Sequence, residues 1–137
     1  MVRELTRAEV DALLREQVVG RVGCHLDGRT YVVPVIYAYD GEAIYVLTVE
    51  GQKTRMLRAN PSACFEVDEY PGPGRWRSAI LYGAYEELEG DGLEQALALL
   101  RERFAGGGGR RPSADDRPTV AFRIRVTEAN GRTSEPD

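Results

Sequence analysis

The spacing of apolar positions changes several times along the chain, and each change marks an element. Val10, Leu13 and Leu14 recur at helical spacing. They follow Thr6-Arg7-Ala8-Glu9, a capping box in which the Thr6 hydroxyl accepts from the Glu9 N–H and the Glu9 carboxylate reaches back. Leu5 and Val10 hold the two staple positions around it, and the helix is predicted to end near Gln17. The period then shortens to two. Residues 18–26, 30–39 and 43–49 are rich in β-branched and aromatic side chains, with Asp27-Gly28 and Asp40-Gly41 between them. Asp-Gly between such runs signals a hairpin, because glycine takes a positive φ without strain, and both turns are predicted to be of one type.

A short helix over 52–59 stops at Asn60-Pro61, and a fourth strand covers 62–69. Pro71-Gly72-Pro73-Gly74 reads as a rigid loop before a fifth strand over 76–88. A second amphipathic helix starts at Asp91, with Leu93, Ala96, Leu97, Leu100 and Phe104 on one side. Residues 106–118 are too polar and glycine-rich to pack and read as a mobile loop. A sixth strand covers 119–126, and 128–137 is a tail with no assigned order. Six antiparallel strands with helices at the corners predict a mainly β fold, a small barrel with helical plugs, in one domain over 1–137.

Composition narrows the class. The 137 residues are 42% hydrophobic and 29% charged, a balance that excludes wholesale disorder and suits a single domain. No apolar run approaches the roughly 18 residues of a membrane helix, and the first six residues lack a signal-peptide core. Two cysteines make no disulfide framework, so the expected location is cytoplasmic. Eighteen basic against 22 acidic residues give a net charge of −4, and Arg110-Arg111 sits beside Asp115-Asp116. Neither a nucleic-acid nor a membrane partner is predicted.

Conventional catalytic sets are nearly absent. The one histidine, His25, follows Cys24 on a strand, so the two side chains point to opposite faces and do not share a metal. Glu66 and Asp68 share a strand face that reads as solvated. GxxxxGK[ST] and GxGxxG phosphate patterns do not occur. Two stretches have a physical logic. Gly51-Gln52-Lys53-Thr54 lies where a strand hands over to a helix, whose first-turn N–H groups and dipole stabilise an anion. The same residues also suit an ordinary cap with an exposed lysine. In Val32-Val33-Pro34-Val35-Ile36-Tyr37 a proline interrupts an apolar strand. Main-chain groups exposed beside an apolar floor suit a flat heteroaromatic ring, and a strained edge strand accounts for the pattern equally.

The ordered set Gly28-Arg29, Val33-Pro34-Val35, Tyr37, Asp40-Gly41, Ile44-Tyr45, Thr48, Glu50-Gly51-Gln52-Lys53, Leu57, Asn60-Pro61, Phe65-Glu66-Val67-Asp68, Trp76-Arg77-Ser78 and Gly83 resembles the pyridoxamine 5′-phosphate oxidase-like FMN-binding split-barrel family. The nitroimidazole-reductase-like branch is the nearest, and Val120-Ala121-Phe122-Arg123-Ile124 extends the likeness. The resemblance implies a six-stranded antiparallel split β-barrel and a homodimer with two FMN sites at the interface. It implies that the backbone of Val33, Pro34, Val35 and Ile36 meets the flavin ring. Leu47 and Thr48 would flank the ring and ribityl chain, and Gln52 and Lys53 would hold the phosphate. Trp76 and Ser78 would approach from the other subunit. Leu47 stands where many members of that branch carry histidine, and no basic pocket for vitamin B6 chemistry is evident. The vitamin B6 reaction is therefore not carried over, and the Leu47 difference counts against nitroimidazole-type activity. Related branches use the deazaflavin F420 or haem, and His25 is the one histidine available to a haem.

Three functions follow as expectations. The first is an oxidoreductase passing electrons from a reduced nicotinamide, through the flavin, to a small acceptor, with the chemistry carried on the cofactor. The second is a flavin carrier or sensor without turnover. The third is an interaction domain with no cofactor.

Overall fold

Residues 1–104 and 119–135 are described by the computed structural model. In chain order they form β1 (Val2–Glu4), α1 (Arg7–Glu16), β2 (Val19–Leu26), β3 (Arg29–Ile36), β4 (Ala38–Tyr39), β5 (Ala43–Val49), α2 (Gln52–Ala59), β6 (Ser62–Gly72), β7 (Arg75–Glu87), α3 (Gly90–Phe104) and β8 (Thr119–Ser134). All six expected strands are present, in a sheet of eight. The additions are β1, which no pattern announced, and β4, split from the second expected strand at Tyr37. β6 runs through Pro71-Gly72, so the rigid loop shrinks to a turn at Pro73-Gly74. The supposed tail is strand to Ser134, paired with β7 on one side and β1 on the other. The loop expected over 106–118 lies outside the described residues.

Among the described residues, neighbouring strands of the sheet are antiparallel, in the order β3-β2-β6-β7-β8-β5-β4. The two ends of that path, β3 and β4, are consecutive in the chain with only Tyr37 between them. The sheet therefore rolls back on itself as a barrel. Strand alternation sends Ala63, Phe65 and Val67 of β6, and Ala79 and Leu81 of β7, into a core shared with Val22, Tyr37 and Phe122. Gly20 makes room there: a Cβ at that position would lie 2.1 Å from Phe65 Cζ. On β7 a Cβ at Gly83 would meet Arg125 O at 2.1 Å. This close approach sits at the register shift after Tyr82, where Thr127 is the extra residue of β8.

Helices close the barrel. α1 begins with the expected capping box, Glu9 N–H to Thr6 Oγ1 at 3.2 Å and Thr6 N–H to Glu9 Oε1 at 2.9 Å. It buries Val10, Leu13 and Leu14, and Tyr37 donates its hydroxyl to Leu14 O at 2.6 Å. α3 packs Ala96 on the outer side of Ala43 and Tyr45, with Leu88 and Leu99. Of the apolar side expected for α3, Ala96 alone is fully buried. The hairpin turns also differ. Asp27 (φ 51°) and Gly28 (φ 78°) make a two-residue turn of the primed kind. At the second turn Gly41 alone has positive φ, 99°. There the Asp40 carboxylate replaces the missing geometry by accepting from Glu42 N–H and Ala43 N–H, both at 2.8 Å.

Candidate functional site

The hand-over from β5 to α2 brings Thr48, Glu50, Lys53 and Thr54 together. Gly51 is the N-cap and has no side chain to cap the first turn of α2. Its own N–H donates to Thr54 Oγ1 at 3.0 Å. That fully buried hydroxyl is also 2.9 Å from Gly51 O and 3.1 Å from Glu50 Oε1, either of which it can donate to. Lys53 is half-buried and donates from Nζ to Thr48 Oγ1 at 2.6 Å. Burial pulls its pKa below the ordinary lysine value. Uncapped amides, the positive end of a helix dipole, an ammonium and a hydroxyl thus converge, which is the chemistry of an anion seat. Gln52, the first residue of α2, is half-buried with its Nε2 3.8 Å from Met56 Sδ, too long for a strong bond.

Pro34 resolves into an edge position. Tyr37 N–H donates to Val18 O at 3.3 Å, continuing a register in which Gly20 faces Val35 and Val22 faces Val33. Antiparallel pairs alternate between exchanging hydrogen bonds and not. Val35 and Val33 are therefore the bonding positions, and Pro34, opposite Arg21, falls between them. Its nitrogen faces away from β2, so the missing N–H loses no ladder bond. The main-chain groups of Val32 and Ile36 face that open edge too.

The opposite lip of the opening is β5. β4 pairs with β5 only at Ala38–Tyr45 and Tyr39–Ile44. Continued, that register would set Ile36 against Leu47 and Val35 against Thr48, but β3 pairs with β2 instead. β3 and β5 still approach within 8 Å between Cα atoms. The barrel is split between Val33–Ile36 and Leu47–Thr48, and Lys53 lies at the end of the split through Thr48. Alternation along β5 puts Thr48 on the core side with Ile44 and Val46, and Leu47 on the other side with Ala43 and Tyr45. A planar group reaches both only at the strand's open edge.

Trp76 and Ser78 are not brought to this opening within one chain. Both lie on the outer face of β7, opposite Ser134 and Arg132 of β8. Pro34 and Ile36 share that outer face three strands away, about 14 Å at the usual strand spacing. Between them Arg21 bridges Glu66 at 2.9 Å and Asp68 at 3.3 Å. Burial, then a hydrogen bond with Asp68, raises the Glu66 pKa.

The other sequence candidates separate. Cys24 is buried and His25 exposed, on opposite faces as expected, and no cluster of metal-ligating side chains occurs among the described residues. A cavity of about 460 Å³ lies elsewhere, between α1, β4 and α3. Its polar rim is already engaged: Arg15 stacks on the Tyr39 ring, and Arg103 donates to Gln17 O. Arg58 carried no signal in the sequence. Its fork grips Glu50 at 2.5 and 2.6 Å, and its Nε donates to Glu87. Glu50 stands in the link before α2 and Arg58 near the end of α2, and a separation of eight residues is not among the helical neighbour spacings.

Fold and opening together define a split-barrel protein of the flavoprotein-like type. The chain matches the pyridoxamine 5′-phosphate oxidase family over residues 6–133 and belongs to that family. It is 31% identical over 87 residues to an uncharacterised protein of Rhizobium meliloti (strain 1021), 64% of this chain and 58% of that protein. In structure it is similar to an FAD-binding protein of Mesorhizobium loti, with TM-score 0.81, 32% identity and 99% and 98% of the two chains covered. It also shares its fold with a candidate 5-nitroimidazole antibiotic resistance protein of Bacteroides thetaiotaomicron, with TM-score 0.79, 19% identity and 97% and 87% covered. No helix among the described residues is long and apolar enough to cross a membrane.

Proposed function

We propose that this chain is an FMN-dependent oxidoreductase acting as a homodimer, with one flavin in each split. The observation that carries the reading is Lys53: a half-buried ammonium, its pKa lowered by burial, bonded among the described residues to a hydroxyl alone, at an uncapped helix start. A phosphate placed there meets Lys53, Thr48 and the Gln52 amide. The open edges of Val33–Ile36 and Leu47–Thr48 would hold the ring, and Trp76 and Ser78 would come from the second copy. A flavin held by Lys53, Gln52 and the β3 and β5 edges would supply the redox chemistry, hydride acceptance from a reduced nicotinamide and electron transfer to a small acceptor. The chain's part is to seat the tail, expose one ring face and limit access.

A second reading of the cofactor is FAD, favoured by the name of the Mesorhizobium loti relative. The absorption spectrum and mass of the molecule that co-purifies separate FMN from FAD, and both from F420 or haem. Activity is tested by mixing loaded protein with NADH or NADPH without oxygen. Bleaching faster than free flavin supports an oxidoreductase. Bleaching no faster reduces the protein to a flavin carrier, and protein that binds no flavin overturns the reading.

A further inference from the structure

Glu50 and Lys53 stand three residues apart at the start of α2, close enough for the carboxylate to act electrostatically on the ammonium. Opposite charges so placed ordinarily pair, yet among the described residues no ion pair joins them. Lys53 Nζ bonds Thr48 instead. Both Glu50 oxygens are taken by Arg58, Nη1 to Oε1 at 2.5 Å and Nη2 to Oε2 at 2.6 Å, and Oε1 is also within reach of the Thr54 hydroxyl. Arg58 is itself fixed from the side by Glu87 at the end of β7. A bidentate fork of this kind fixes direction as well as charge.

We propose that Arg58 is a positioning residue of the anion seat, holding the Glu50 carboxylate away from Lys53 so that the ammonium stays available to the phosphate of the ligand. The proposal rests on the reading of this seat as a phosphate site. Without Arg58, Glu50 turns to Lys53 and neutralises it, and its charge repels an incoming phosphate. The seat then loses its preference for a phosphorylated ligand while the ring site is untouched. Glu50 is therefore the residue through which Arg58 acts, and removing the Glu50 charge removes the need for Arg58.

The test is titration of FMN and of riboflavin, which lacks the phosphate, into wild type, Arg58→Met, Glu50→Gln and the double variant, followed by flavin fluorescence. Arg58→Met is expected to bind FMN about tenfold more weakly, with riboflavin changed by less than about twofold. In the Glu50→Gln background the same substitution is expected to change FMN affinity by less than about twofold. Glu50→Gln alone should bind FMN as tightly as wild type or more tightly, which tests the proposal even where Arg58→Met folds poorly. The proposal is overturned if Arg58→Met binds FMN as wild type does, if Glu50→Gln fails to rescue it, or if Glu50→Gln alone weakens FMN. Wild type that binds riboflavin as tightly as FMN instead removes the phosphate seat, and this proposal with it.

Discussion

At the scale of single residues, Lys53 is the group whose surroundings make least sense without a ligand. Burial works against its charge, and the contact that accompanies it is a neutral hydroxyl. A charge-assisted bond of this kind contributes roughly 1.5–3 kcal/mol, so Lys53→Ala is expected to weaken FMN binding by about tenfold to a hundredfold. Riboflavin affinity should hardly move, and an unchanged FMN dissociation constant would remove Lys53 from the seat. Gly20 is the counterpart in the core. A methyl there would lie 2.1 Å from the Phe65 ring, so Gly20→Ala is expected to destabilise by about 1–3 kcal/mol through overpacking. Thermal melting reads the loss, and Gly20→Ala/Phe65→Leu should recover part of it; equal melting of Gly20→Ala and wild type would contradict the packing. The two residues differ in legibility. Lys53 stood out because everything that makes it a candidate lies within a few positions in the chain. Gly20 and Arg58 did not: Phe65 and Glu87 reach them only after the sheet has closed, and Glu50 lies eight residues from Arg58, outside the three- and four-residue helical spacings.

At the scale of elements, the sequence was readable wherever local chemistry decides, and opaque where a long-range partner does. β5 and α2 fall on the expected residues, and α1 opens on its capping box. β8 shows the limit. The register shift at Thr127 changes the alternation, so the inward positions pass from Val126 to Ala129, Gly131 and Thr133. Small and polar residues in phase with the core leave no hydrophobic signature, and 128–134 looked like a tail. β1 is three exposed residues whose strand partner among the described residues is that same segment. The turn at Asp40 carries a test of its own. Its carboxylate is partly buried, which raises the pKa. Donation by Glu42 N–H, Ala43 N–H and the Tyr45 hydroxyl at 2.9 Å outweighs this and leaves the pKa below the ordinary 3.8. A depressed folded-state pKa contributes stability that is present above 3.8 and lost as pH falls through the lower folded value. Asp40→Ala should therefore be less stable than wild type at pH 7, by about 1–3 kcal/mol for three donors left without their acceptor. The gap should narrow on acidification below the ordinary carboxylate pKa. Urea titrations of both proteins across that range measure it, and a gap that widens on acidification would refute the account.

At the scale of the whole molecule, the described helices leave one side of the barrel without a helix over it. α1 packs into the core, α2 sits at the opening, and α3 lies outside β5. Among the described residues, none of them covers the outer face of β3, β2, β6 and β7. Val32 is 61% exposed there and Ile36 55%, and Ile80, Tyr82 and half-buried Trp76 continue the face across the sheet. Exposed apolar side chains on either side of the Arg21, Glu66 and Asp68 cluster suit an interaction site with a mixed apolar and charged surface. A two-fold contact would set the face against its own copy. It would also carry Trp76 and Ser78 of one chain across to the split of the other, a distance their own chain does not bridge. Dimerisation and flavin binding would then be coupled, each favouring the other. Ile80→Asp, which places a charge in the middle of that face, is expected to give monomers by light scattering and to weaken FMN binding at the same time. Lys53→Ala is expected to weaken FMN binding and remain dimeric, because α2 lies off that face. A monomeric Ile80→Asp protein that keeps wild-type FMN affinity would show that the flavin site is complete within one chain. The open lips of β3 and β5 would then have to hold the ring without help from a partner.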